Sequence, residues 1–184
     1  MASSRTRDWA GLPYDILWSI LSRLPHTDIL RGTELVCKPW RRVSVDEPLL
    51  WRRIDVSSVE YRHSYDSDDE LEVEEATDRR LQMARAAVDR SDGRCELFRG
   101  PADRDFIAYL ADRAPLLRTL VVTSELEVPD LEAFVDRVAK RLLLLEGVVL
   151  TGGIPTSEIT CAFMDNCPSI KFLKHWYTDT GNYK

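Results

Sequence analysis

The residues in this 184-residue chain best suited to chemistry at a ligand are two copies of Trp-Arg-Arg, at residues 40–42 and 51–53. Indoles stack on bases and guanidiniums hold phosphates, so the pair raises nucleic-acid binding as a first reading. Charge opposes it. The chain carries a net charge of -6 and a pI near 5.2. Asp46, Glu47 and Asp55 interleave with the arginines, which leaves no basic patch for a phosphate backbone. No nucleic-acid partner is expected. Thiol and imidazole chemistry is equally thin. Cys37, Cys95, Cys161 and Cys167 are scattered without a CxxC, and His63 and His175 do not complete a ligand set. No metal and no cofactor are expected. GxSxG, P-loop and HExxH patterns are missing from the sequence, so no catalytic residue is assigned and the chain reads as a non-enzyme.

The elements that must position any site are those of a globular chain, with 44% hydrophobic residues. No run of eighteen apolar residues exists, so no membrane span is expected. Residues 1–15 lack the apolar core of a signal peptide. Reduced thiols and a location in nucleus, cytoplasm or both are the expectation.

Charge divides the chain. Residues 1–56 hold nine basic against seven acidic side chains, residues 57–78 one against nine, and residues 79–184 are balanced. The middle stretch is poor in apolar residues and repels itself, so it reads as a solvated acidic linker. Ser67 precedes Asp68, Asp69 and Glu70, a pattern that acid-directed kinases favour. Ser64 and Ser67 are therefore candidate regulatory phosphorylation sites, where phosphate would add to the repulsion.

Helical periodicity is clearest upstream. Leu12, Ile16, Leu17, Ile20, Leu21 and Leu24 form a broad apolar stripe on one helix. Pro13 suits the first turn and Pro25 ends the helix. A second helix is predicted with Thr27 as N-cap. Pro39 then either kinks it or opens a third helix. Pro48 holds Glu47 out of the helical region, and residues 52–56 lead out as a short strand.

Residues 9–56 resemble an F-box. The match is carried by Leu12-Pro13, the ILWSILSRL helix, Asp28-Ile29-Leu30, the VCKPW segment and the closing LWRRIDV. The resemblance implies a three-helix domain that docks on a Skp-family adaptor, which bridges to a cullin and a RING subunit. By that resemblance the adaptor contacts are Leu12, Pro13, Ile16, Leu17, Ile20, Leu21, Leu30, Val36, Cys37 and Trp40. A module this small buries little surface of its own, and surplus apolar surface marks an interaction site.

Residues 79–184 alternate helix and strand patterns, and they repeat. Leu117, Leu145 and Ile170 align, as do Leu120, Val148 and Leu173, at spacings of 28 and 25 residues. Cys95 marks a degenerate earlier copy. A helix and a short strand per unit at that period indicate leucine-rich repeats, about three to four of them, in an array that reads as short or truncated. The expected fold is thus α then α/β: an F-box followed by a short solenoid of helices and parallel strands. The consensus Asn or Cys after each strand is missing, with Thr at most in its place.

The whole chain is similar to plant F-box/leucine-rich-repeat proteins. That resemblance implies a substrate-recognition subunit of a Skp–cullin–F-box ubiquitin ligase, with an unidentified protein target held on the repeats. Arg118, Thr119, Glu146, Lys171 and Lys174 are the candidate target contacts. The alternative is an F-box protein that binds the adaptor without directing degradation.

Overall fold

The computed structural model describes residues 8–57, 70–151 and 157–175. Ser64 and Ser67 lie outside them. The helix expected after Pro13 is α1 (Tyr14–Leu21). Asp15 sits in its first turn, at the positive end of the helix dipole. The second helix begins earlier than expected. Thr27 is not its cap: α2 (His26–Asp28) has Pro25 in the N-cap place, and Thr27 is buried. The Pro25 carbonyl accepts from the N–H groups of Asp28 and Ile29 at 3.0 and 3.1 Å. Pro25 does not itself end α1, which stops at Leu21 with Ser22 as its C-cap; its fixed φ suits it to starting α2.

The helix continues through a π-helical turn (Ile29–Thr33) into α3 (Glu34–Val36). Cys37 is fully extended, and Pro39 lies in the first turn of α4 (Lys38–Asp46). Pro39 therefore opens a helix rather than kinking one. Glu47 is extended, and its carboxylate accepts from the Leu49 N–H at the head of a short 3-10 turn (Pro48–Trp51). That turn feeds β1 (Arg53–Asp55).

The acidic stretch 57–78 is not linker throughout. From Glu70 the chain is helical, and α5 (Glu70–Arg90) takes in residues 70–78. Leu81, Ala84, Ala87 and Val88 bury the middle and end of α5. Once that part is fixed, extension adds one hydrogen bond per residue, and carboxylates suit the N-terminal end of a helix. The chain leaves α5 through Asp92 and Gly93, both at positive φ, the role expected of a glycine after a helix.

There follow β2 (Leu97–Gly100), α6 (Arg104–Arg113), β3 (Thr119–Val122), α7 (Leu131–Phe134) with a π-helical turn (Val135–Ala139), β4 (Gly147–Leu150), α8 (Ser157–Asn166) and β5 (Phe172–His175). Asp103 caps α6, its carboxylate accepting from the Phe106 N–H at 2.6 Å. The five strands are parallel and lie in sequence order.

Ile54, Phe98, Leu120, Val148 and Leu173 form one row across the sheet. Trp51, Cys95, Leu117, Leu145 and Ile170 precede them by three residues each. This is the alignment expected from the repeat spacing, extended upstream to β1. The F-box-like segment therefore supplies the first strand of the repeat sheet, and one apolar core runs from Leu17 to Cys167. Trp51 is the joint. It is fully buried, its indole N–H donates to the Ser44 carbonyl at 2.9 Å, and the Arg90 guanidinium lies 5.2 Å from its ring centroid. Arg90 also pairs with Glu34 of α3. His26 adds a second tie. Its Nε2 lies 3.0 Å from the Leu50 carbonyl and its Nδ1 accepts from the Asp55 N–H at 3.3 Å, which requires the Nε2–H tautomer.

The consensus polar residue after the strands has a local substitute. The Ser124 hydroxyl donates to the Ala102 carbonyl at 2.9 Å and accepts from the Ala102 N–H at 3.0 Å. One side chain thus satisfies both polar groups of a buried residue in the preceding repeat. Thr151 donates to the Val122 carbonyl at 3.1 Å in the same manner.

Two of the cysteines are core residues. Burial pushes the Cys95 thiol up to about 12 and the Cys167 thiol up to about 11, so both stay protonated at neutral pH. Cys161 is exposed and Cys37 is partly so. Under native conditions iodoacetamide is expected to label Cys161 and Cys37 only, as read by peptide mass spectrometry. Labelling of Cys95 or Cys167 at a comparable rate without denaturant would contradict this packing.

Candidate functional site

Two surfaces have the composition of docking sites. The first lies on α1 to α4. Ile16 is 47% exposed and Val36 52%, while Pro13 is exposed and Leu12, Ile20, Leu30, Cys37 and Trp40 are half-buried. Leu17 and Leu21 are corrected here. At 2% and 0% exposure they pack in the chain's own core rather than on its surface. The stripe on α1 is wide enough to face two ways. One edge packs inward through Leu17 and Leu21, and the other leaves Ile16 outside.

Leu35, at 84% exposure, was not among the expected contacts. A signal existed. Leu35 and Val36 are consecutive on a helix, about 100° apart, so the two cannot both point straight inward. Trp9 and Tyr14 are also exposed. The Trp40 indole N–H donates to the Trp9 carbonyl at 3.0 Å. The Tyr14 hydroxyl donates to the Glu47 carboxylate, and that contact, with some burial, raises its pKa. These bonds tie the segment before α1 to α4, and the start of α1 to the head of the 3-10 turn, while the rings stay partly in water.

The second surface is the sheet face turned away from the helices. Side chains alternate along each strand. The row from Ile54 to Leu173 packs with the helices, for instance through Phe98 and Phe106 with ring centroids 4.9 Å apart. Thr119 and Lys174 stand on the opposite face, Thr119 partly exposed and Lys174 exposed. Gly147 leaves room there for a ring from the next strand. A Cβ would meet the Phe172 ring, which lies over it and would have to swing aside.

Arg118, Glu146 and Lys171 sit one residue before β3, β4 and β5, in register with Glu96 and Arg52. The five form an alternating row. Arg52 meets Glu96 at 2.8 Å, Arg118 meets Glu146 at 2.6 Å and Lys171 meets Glu146 at 2.8 Å. The Arg52 guanidinium holds the Glu96 carboxyl below the usual carboxylate range, with Arg118 adding to it, and Lys171 and Arg118 do the same for Glu146. These pairs are solvated, so they fix strand order more than they stabilise.

Among the described residues no group of three His, Cys, Asp or Glu side chains could hold a metal ion, and no helix is long and apolar enough to cross a membrane.

Residues 9–57 match the family model described as F-box-like. The chain is 34% identical over 180 residues to F-box/LRR-repeat protein 9 of Arabidopsis thaliana, covering 95% of this chain and 68% of that protein. It is 32% identical over 177 residues to F-box/LRR-repeat protein 23 of the same plant, covering 95% of this chain but 36% of that protein. F-box protein SKIP1, also from Arabidopsis thaliana, is 31% identical over 169 residues, 91% of this chain and 55% of its own length. The chain thus spans between about a third and two thirds of these relatives.

Proposed function

The chain belongs to the F-box/LRR-repeat family, and on that premise we propose that it is the substrate-receptor subunit of a Skp–cullin–F-box ubiquitin ligase. The observation that carries this reading is the set of water-exposed Ile16, Leu35 and Val36 on a module that matches the F-box-like model. Large aliphatic side chains left in water favour burial against a partner, at roughly 1.5–3 kcal/mol each. In this reading the partner is a Skp-family adaptor, and the cullin and RING subunit join through it.

The chain itself is non-catalytic. It raises the local concentration of a target lysine near a ubiquitin-charged enzyme, and the rate gain is one of proximity. The rigid joint at Trp51, Arg90 and His26 suits that task, because a receptor must hold its target at a fixed distance from its adaptor. The target surface is the open sheet face, with Thr119 and Lys174 on it and Arg118, Glu146 and Lys171 along its edge.

The test is co-purification of the full chain with a Skp-family adaptor, followed by cullin and RING capture. A stoichiometric assembly is the expected result. A folded chain that no Skp-family adaptor captures would sink the proposal.

A further inference from the structure

A sheet made only of parallel strands is ordinarily covered on both faces. Here α5 to α8 cover one, and among the described residues no layer covers the other. Its floor is apolar: Val121 and Val149 on β3 and β4 are half-exposed, and Phe172 on the edge strand β5 is 41% exposed. Its charge runs against that of the chain. Arg52, Arg53, Arg99, Arg118, Lys171 and Lys174 border the face, against the carboxylates of Asp55, Glu96 and Glu146. Six cations against three carboxylates leave an excess of three on a chain whose net charge is -6.

The carboxylates are already engaged. Glu96 and Glu146 lie between cations of the edge row, and Asp55 lies 4.0 Å from Arg99. Arg53 and Lys174 make no ion pair among the described residues. The Lys174 ammonium instead stands 5.5 Å from the centroid of the Phe172 ring. An apolar floor with cations outside any ion pair at both ends is complementary to a segment that carries both acidic and aliphatic residues.

We propose that the open face of the sheet takes an extended acidic segment of the target protein, its carboxylates meeting Arg53, Arg99 and Lys174 and its aliphatic side chains lying on Val121, Val149 and Phe172. The inference rests on the receptor reading above and names the chemistry of its target. Five strands about 4.8 Å apart span roughly 19 Å, the length of about six extended residues. A nucleic acid fits the face less well. Its evenly spaced phosphates would meet Asp55, Glu96 and Glu146 as well as the cations. Phe172 is also the only aromatic residue on this face among the described residues, too few for a row of stacked bases.

The test uses the full chain with its adaptor and a fluorescein-labelled peptide of repeated Glu-Val-Asp. Fluorescence anisotropy is read at low and physiological salt. The comparisons are the same peptide with lysine for each acid and a labelled DNA duplex. Binding of the acidic peptide alone, weakened by salt, is expected. The triple variant Arg53→Glu, Arg99→Glu, Lys174→Glu should weaken it about tenfold or more with an unchanged melting curve. These positions are solvent-facing, and a single reversal at Lys174 gives a second reading if the triple variant fails to fold.

No binding of the acidic peptide overturns the proposal, as does binding that the reversals leave untouched. Tighter binding of the duplex reassigns the face to nucleic acid. Self-association that the reversals abolish reassigns it to a second copy of this chain. Adaptor capture is measured on the same preparations. Its loss alone defeats the ligase reading and leaves the peptide result standing, so the two failures are distinguishable.

Discussion

Replacing Trp51 by alanine is expected to unfold the N-terminal module and the repeat sheet together, with a loss of about 3–5 kcal/mol in urea titration. Trp51 is among the largest fully buried side chains, and it is packed from three directions. His26 lies 5.2 Å away ring to ring, the Arg90 guanidinium lies at the same distance, and the Ser44 carbonyl accepts the indole N–H. Removing the ring leaves a void that this backbone cannot close. It also leaves a buried carbonyl without its donor and a partly buried guanidinium without its aromatic face. Domains of this size are commonly stable by only about 5–15 kcal/mol, so the loss is a large share of the total. Trp51→Phe separates the two contributions: it keeps most of the volume and removes the hydrogen bond, so its effect should be the smaller. A loss under about 1 kcal/mol for Trp51→Ala would mean that the module and the sheet do not share the core described above.

The same residue shows what the sequence could and could not reveal. Trp51 was legible as an indole packed at the end of the module, and Trp40 lies half-buried against the same core. The repeat alignment was legible because Leu117, Leu145 and Ile170 recur at a helix-plus-strand period, and the strand register follows it. The role of β1 in that same register was hidden by the 44-residue spacing from Trp51 to Cys95, which broke the period. The start of α5 was hidden for another reason. Its first turns carry the composition of a solvated linker, and only its later apolar residues hold it on the core.

Orientation around α1 was the deeper difficulty. Periodicity shows that Ile16, Leu17, Ile20 and Leu21 share a broad face, but it does not say which edge meets the chain's own core. That depends on where α4 and the 3-10 turn sit, which is tertiary information. Arg118, Glu146 and Lys171 were recognisable as surface residues of the repeats. Their pairing became visible only once adjacent strands placed them one before each strand, and Arg52 and Glu96 completed the row.

Ile16→Asp, Leu35→Asp and Val36→Asp together are expected to abolish adaptor capture while leaving the fold intact. Each of these side chains is about half or more in water, so a carboxylate there remains solvated in the free chain. In a complex the same carboxylates would be buried without partners, and three apolar contacts would be lost. Even a combined cost of roughly 3 kcal/mol corresponds to about a hundredfold loss in affinity, and charge burial pushes it further. The informative control is Leu21→Asp. It too should lose the adaptor, but through unfolding, since a charge at a position with 0% exposure has no water and no counter-ion. Circular dichroism melting and calorimetric titration therefore have to be read together. The surface triple variant should keep the wild-type melting temperature and lose binding, while Leu21→Asp should lose both. A triple variant that still binds the adaptor at wild-type strength would remove the exposed apolar side chains of α1 and α3 from the interface. The docking surface would then have to be sought around Trp9, Tyr14 and Leu49, the other large side chains of this module left in water.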